Sequence, residues 1–222
     1  ELQHKLNDFS FRATKEECLA LPDKVYTRRE IELTSEQRKA YDQMKLMALA
    51  EVNGNLMSTN NALTQLMRLH QIVCGHVKMD DGQQIDIPSN RINELLATVA
   101  ETQGKVIIWA NYRRDIENIR IALAKEYGMT SVATYYGDTA ADCRQEIVEQ
   151  FQDPDSDLRF FVGNPRTGGY GLTLTAANLV VYYSNSFDLE VRLQSEERKS
   201  PTWTSSQQGL LTSILSRPCA TK

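Results

Sequence analysis

From residue 92 to residue 183, short apolar runs alternate with stretches whose apolar residues recur every three or four positions. Nothing else in the chain narrows its fold as far. Val106, Ile107, Ile108 and Trp109 form one run; residues 132–135, 158–162 and 179–183 form three more. Ile92, Leu95, Leu96 and Val99 keep helical spacing ahead of the first run. Ile116, Ile119 and Leu123, closed by Gly128, and then Ile147, Val148 and Phe151, ended by Asp153 and Pro154, keep it between the others. Short strands alternating with helices of about 10 to 15 residues predict βαβ units and a parallel sheet. Runs this apolar require cover on both faces, and right-handed crossovers complete the picture. The predicted class is α/β: a RecA-like or Rossmann-like layered parallel sheet with helices on both faces.

The first 75 residues read differently. Thr34, Ser35, Glu36 and Gln37 match a capping box, with Thr at the cap and Gln three positions later. Ala40, Tyr41, Met44, Met47, Ala48 and Val52 then recur at helical spacing, and Asn53-Gly54-Asn55 ends the helix. Leu63, Leu66, Met67, His70 and Val73 share one face of a second helix. A helical hairpin is therefore expected before the sheet, with Leu21-Pro22-Asp23-Lys24 as an extended lead-in and the Met-rich faces as ordinary core. Residues 78–88 are polar, and Asp81-Gly82 marks a turn, which gives a linker or small hairpin.

A chain of 222 residues, 41% hydrophobic and 24% charged, fits one large soluble domain or one domain with an appendage. No apolar run approaches the roughly 18 residues of a membrane span, and ELQHKLNDFS does not resemble a signal peptide. A cytoplasmic protein (nuclear in a eukaryote) without membrane contact is expected. Cys18, Cys74, Cys143 and Cys219 are scattered and form no C-x-x-C pair, so neither a disulfide framework nor a zinc site is expected. His70, Cys74 and His76 lie near one another, but no fourth ligand accompanies them, and a core cysteine with two ordinary histidines is the expectation. The net charge of −4 leans against a freestanding nucleic-acid binder, although a groove can be basic on an acidic body.

Ligands of layered α/β sheets sit beyond the carboxyl ends of the strands. Asn111, Arg113 and Arg114 follow the first apolar run, Gly137 and Asp138 the second, and residues 163–171 the third. In that last stretch Gly168, Gly169 and Gly171 allow close backbone approach, successive N–H groups can cradle an anion, and Arg166 adds charge. A glycine-rich turn needed only for packing is the equal alternative. Neither G-x-x-x-x-G-K-[ST] nor G-x-G-x-x-G after a strand occurs, so no complete nucleotide site of either kind is present.

Several segments, in order, resemble the second RecA-like lobe of Swi/Snf-type superfamily-two ATPases. LMRLHQIVCGH is similar to the family's helix with leucine, arginine and cysteine, and GKVIIWANYRRDIENI resembles motif IV. YYGDTAADCRQEIVEQF is similar to the run that follows it, GNPRTGGYGLTLTAANLVVYYS resembles motif V, and FDLEVRLQSEER the opening of motif VI. The resemblance spans about residues 10 to 198. It implies a DNA-dependent motor in which ATP and Mg²⁺ are held between two lobes, the first supplying the phosphate-binding lysine and metal-binding acids. It gives Arg198 the part of an arginine finger at the γ-phosphate and places Gly168, Gly169, Gly171 and Gln194 in motifs V and VI at the nucleotide cleft. Asn111, Arg113, Gly137, Arg144, Arg166 and Thr175 become candidate backbone or DNA-side contacts, Arg144 being equally well a solvated helix arginine.

The division expected on this reading is residues 1–77 as lead-in and helical segment joining an absent first lobe, 78–88 as linker, 89–198 as the RecA-like second lobe, and 199–222 as an aberrant tail. The partners are the N-terminal RecA-like lobe and duplex DNA; no cofactor is expected for the fragment alone, which should not hydrolyse ATP. The family continues motif VI as R-x-H-R-x-G-Q, whereas Arg198 is followed by Lys199-Ser200-Pro201-Thr202-Trp203-Thr204, and the tail has no clear periodicity. A frameshift would account for this: read one base later, suitable codons give Asn-His-Arg-His-Gly, and the glycine follows from TGG before any threonine codon. A natural divergent terminus is the alternative. The exposed Met and Leu faces of the helical segment predict self-association. The second functional reading is a non-catalytic DNA- or protein-interaction module derived from such a lobe, which lack of an adjoining first-lobe reading frame would favour. A Rossmann-type enzyme is disfavoured, because the strand after the glycine loop ends in Tyr182-Tyr183-Ser184 rather than in an acid.

Overall fold

The computed structural model describes residues 25–54, 59–79, 81–168, 172, 174–186, 188–196 and 210–217. The lead-in of residues 21–24, Gly169, Gly171, Arg198 and the break at 199–204 lie outside them. Strand β1 (Val25–Glu32) precedes helices α1 (Ser35–Gly54) and α2 (Thr59–Cys74). The antiparallel pair β2 (His76–Lys78) and β3 (Gln84–Asp86) forms the expected small hairpin, turned at Gly82 with φ +86°. Helix α3 (Arg91–Ala100), β4 (Lys105–Trp109), α4 (Arg113–Tyr127), β5 (Val132–Tyr135), α5 (Ala141–Gln152) and β6 (Phe160–Gly163) follow. The one-turn helix α6 (Pro165–Gly168), β7 (Ala177–Tyr182), α7 (Leu189–Glu196) and β8 (Leu210–Arg217) complete the order.

Six strands form one sheet in the order β1-β8-β7-β4-β6-β5, with every pairing parallel. Side chains alternate across a strand, so one strand feeds two cores. Val106, Ile108, Phe160, Val162, Leu179 and Val181 pack with Leu95 and Val99 of α3 and Ile116, Ile119 and Leu123 of α4. Ile107, Trp109, Phe161, Val180 and Tyr182 pack on the opposite face with Phe151 of α5 and Leu174. Helices on both faces of a parallel sheet are the layout that the alternating pattern predicts.

Two features go beyond the sequence reading. Residues 210–217, within the tail that shows no clear periodicity, form β8 between β7 and β1. The strand β1 was not foreseen either; it is an edge strand whose charged residues Arg28, Arg29, Glu30 and Glu32 discourage further pairing. Helix α1 keeps Ala40, Tyr41 and Met44 of its apolar face half-buried, but α2 buries a different face from the one its apolar periodicity suggests. Ile72 and Cys74 are buried, whereas Leu63, Leu66 and Met67 are exposed. Among the described residues buried Gln37 joins α1 to α2, donating from Nε2 to the carbonyls of Ile72 (2.9 Å) and Val73 (3.2 Å). Both halves of the capping box are present, Gln37 N–H donating to Thr34 Oγ1 and Thr34 N–H to Gln37 Oε1, each at 3.2 Å.

Candidate functional site

The carboxyl ends of β4, β5, β6 and β7 meet at one edge, where backbone bonds lock the loops that leave them. Ala110 N–H donates to Gly163 O and Tyr183 N–H to Trp109 O, both at 2.9 Å. Asn164 ties three strands together. Its N–H donates to Tyr135 O and its Nδ2 to Asn111 O, both at 3.0 Å, while its Oδ1 accepts the Arg166 N–H at 2.9 Å. That last bond caps α6, and Pro165 stands at the first helical position, where a missing N–H costs nothing.

Above this edge lies a cleft of about 630 Å³, lined by Leu63, Met67 and His70 of α2 and by Asn111, Tyr112, Asn164, Arg166, Ser186 and Asp188. Two arginines stand at the same edge. Arg113, with 70% of its side chain exposed, reaches Asp138 at 2.8 Å and lies 3.7 Å from a Cβ built on Gly137. Arg166, 66% exposed, is 3.9 Å from Asp188. Exposed pairs of this kind contribute little to stability, so both guanidiniums remain able to meet an anion from solvent.

Beneath the edge lies a buried polar network that the sequence reading missed. Asp115, in the first turn of α4 and 1% exposed, accepts from Ser184 Oγ at 2.9 Å. Ser184 Oγ in turn accepts the Asn111 N–H at 2.7 Å. His76 Nδ1 lies 3.2 Å from the other oxygen of Asp115, within ion-pair distance but off the line of a hydrogen bond. Buried Arg91 donates to the Tyr183 carbonyl and stacks 4.9 Å from the Tyr183 ring centre. His70 Nδ1 sits 2.8 Å from Tyr112 Oη. Burial, then the charge of Arg91, pulls His70 below its ordinary pKa, while Asp115 opposes them. Burial, reinforced by Asp115, pushes the Cys74 thiol and the Tyr112 hydroxyl up, so both stay protonated at neutral pH. Among the described residues no three His, Cys, Asp or Glu side chains are arranged to hold a metal ion.

Asn111, Arg113, Gly137 and Arg166 are thus brought to one edge, and Gly168 packs beneath it. A Cβ on Gly168 would stand 3.0 Å from the Trp109 ring, so packing accounts for this glycine by itself. Arg144 bonds inward: its Nε donates to Thr139 O at 3.1 Å and its guanidinium lies 5.5 Å from the Tyr135 ring centre, bracing the loop that carries Gly137. Thr175 stands at the other end of the sheet, before β7, bonded to Gln152 at 3.1 Å, and does not join the cluster. Gln194, on α7, donates to Glu190 at 3.0 Å, while its Oε1 is buried and unsatisfied among the described residues. Signals for the missed residues exist in the sequence. Asp115 falls in phase with Ile119 and Leu123 on the buried stripe of its helix, and Asn164 directly precedes a proline.

The helicase conserved C-terminal domain model matches residues 89–199. The chain belongs to this helicase family. Within it, the lobe is of the Swi/Snf type with a RecA-like fold. The SWI/SNF chromatin-remodeling complex subunit snf22 of Schizosaccharomyces pombe is 28% identical over 88% of this chain and 13% of its own length. The human SWI/SNF-related matrix-associated actin-dependent regulator of chromatin subfamily A member 1 is 26% identical over 81% of this chain and 18% of its own length. The helicase lobe therefore spans less than a fifth of these relatives. Among solved structures, the Sulfolobus solfataricus SWI2/SNF2 ATPase C-terminal domain superposes with a TM-score of 0.64 at 22% identity, covering 87% of this chain and 80% of that one. The core of the same ATPase in complex with dsDNA gives 0.68 at 22% identity, covering 97% and 46%. No described helix is long and apolar enough to cross a membrane.

Proposed function

We propose that this chain is the second motor lobe of a Swi/Snf-type DNA-dependent ATPase and that the carboxyl edge of its sheet meets the backbone of duplex DNA. The observation that carries the reading is the grouping of exposed Arg113 and Arg166 with Asn111 and Gly137 on loops fixed by Asn164. Phosphate contacts dominate the affinity of such surfaces, and a Swi/Snf-type core of the same fold has been solved with dsDNA.

On this reading ATP and Mg²⁺ bind between this lobe and a first lobe, and ATP supplies the phosphoanhydride bond whose cleavage drives movement. Arg198 would face the γ-phosphate and offset its developing charge. Gln194 fits a place at a lobe interface, since its buried, unsatisfied Oε1 needs a partner. The chain has no phosphate-binding lysine motif, so the lobe by itself is inactive.

Fluorescence anisotropy of a labelled duplex, titrated with the chain across salt concentrations, tests the DNA face. The salt slope should fall by about one for each of Arg113→Ala and Arg166→Ala. Thr175→Ala, at the far end of the sheet, should leave it unchanged. Slopes indifferent to both arginines would refute the assignment of this edge.

A further inference from the structure

We propose that Asp115 is a positioning residue that locks the loop of residues 111–113 and the α2–β2 arm into one unit, so that DNA contact at the sheet edge and docking of the arm are linked. The proposal rests on the DNA-facing reading above and deepens it.

Asp115 occupies the third position of α4, after Arg113 and Arg114. A carboxylate there ordinarily faces the free N–H groups of its own helix terminus. This one is buried and spends its oxygens on two other elements. One oxygen takes the Ser184 hydroxyl, and that hydroxyl holds the Asn111 N–H, the backbone group at which β4 becomes the site loop. The other lies beside His76, at the start of β2 directly behind α2. The buried Cys74 thiol, at the last residue of α2, keeps its proton through burial and the charge of Asp115. Tyr112 closes the circuit, because its hydroxyl meets His70 at 2.8 Å and its ring meets His76 edge-on at 5.1 Å.

A buried carboxylate is costly unless its partners are in place. The arrangement with Ser184 and His76 both beside it is therefore strongly preferred to any in which one has left. The loop and the arm cannot move separately without stranding that charge. Arg113 follows Tyr112 directly, so its aim depends on the same lock. A ligand that fixes the loop stabilises the docked arm, and by linkage the docked arm favours the ligand.

Amide hydrogen exchange and duplex anisotropy on the chain, with the variants Asp115→Asn and Ser184→Ala, test this. Asp115→Asn keeps the side-chain volume but not two accepting oxygens. It should speed exchange at residues 111–113 and at 70–76 together and weaken duplex binding about as far as Arg113→Ala does. Ser184→Ala, the milder change, should free residues 111–113 with the same loss of binding and leave 70–76 protected. Unchanged exchange at 111–113 in both variants would overturn the proposal. So would release of the loop by Asp115→Asn with 70–76 still protected, or unchanged affinity in both variants when Arg113→Ala weakens it. If Arg113→Ala and Arg166→Ala both bind as the unmodified chain does, the DNA-facing reading falls, and the exchange pattern alone decides the lock between loop and arm.

Discussion

His70 meets Tyr112, at the start of α4, through its Nδ1 and its ring, and its imidazole makes the arm sensitive to acid. Its pKa is held down in the folded chain by burial and by Arg91. An unfolded histidine titrates near pH 6.5, so below about that value the unfolded state binds a proton that the folded state resists. Folding stability should be level above pH ~6.5 and fall as the pH drops through and below it. Urea unfolding at pH 7.5, 6.5 and 5.5 should show this decline, reduced in His70→Gln; identical declines in both chains would contradict the assignment. A second prediction concerns Gly163, where a Cβ would stand 2.9 Å from the Tyr135 carbonyl and 3.0 Å from the Trp109 ring. Gly163→Ala should cost about 1–3 kcal/mol through overpacking, read from the shift in the urea midpoint. A midpoint equal to that of the unmodified chain would show that β5 and β6 approach less closely. The residues hardest to find from sequence belong to this scale. Asp115 and Ser184 are 69 positions apart, and only the parallel return of β7 beside β4 brings them together.

Elements were readable where they announce themselves locally. The capping box at Thr34, the buried runs of β4, β5 and β6, and the helix stop at Gly128 each depend on neighbours a few positions away. Thr34→Ala should remove a cap and the bond to the Pro88 carbonyl (2.8 Å), costing about 1 kcal/mol. A urea midpoint that does not move would mean that α1 starts without help from this side chain. The strands β1 and β8 were not readable: one alternates charged residues at an edge, and the other lies inside the sheet through pairing with strands distant in sequence. Helix α2 departs from its apolar pattern for another reason. Its apolar spacing is real, yet Leu63, Leu66 and Met67 remain on the surface and in the cleft rather than in the core. Apolar faces left open in this way drive association. The chain should sediment as a concentration-dependent mixture, and Leu66→Gln with Met67→Gln should return it toward monomer. A sharp monomer boundary at high concentration would contradict this.

The whole molecule is a parallel α/β lobe that brings Asn111, Arg113, Gly137 and Arg166 to one edge of its sheet, with two helices, α1 and α2, ahead of it in the chain. Fold and family were legible because the βαβ rhythm and the motif order run along the chain. The strand at residues 210–217 has no signal in the sequence because regular pairing can be imposed by the sheet without any periodicity in the strand itself. The central claim is that this lobe completes an ATPase rather than acting alone, and steady-state ATP hydrolysis tests it most directly. The chain would be measured by itself and joined to a Swi/Snf-type first lobe, each with and without duplex DNA, together with Arg198→Ala. The account predicts no hydrolysis by the chain alone, DNA-stimulated hydrolysis by the joined protein, and a loss of about 10³-fold or more on removing the arginine. Hydrolysis by the chain alone, undiminished activity in Arg198→Ala, or a joined protein that binds ATP and duplex DNA without hydrolysis would contradict it.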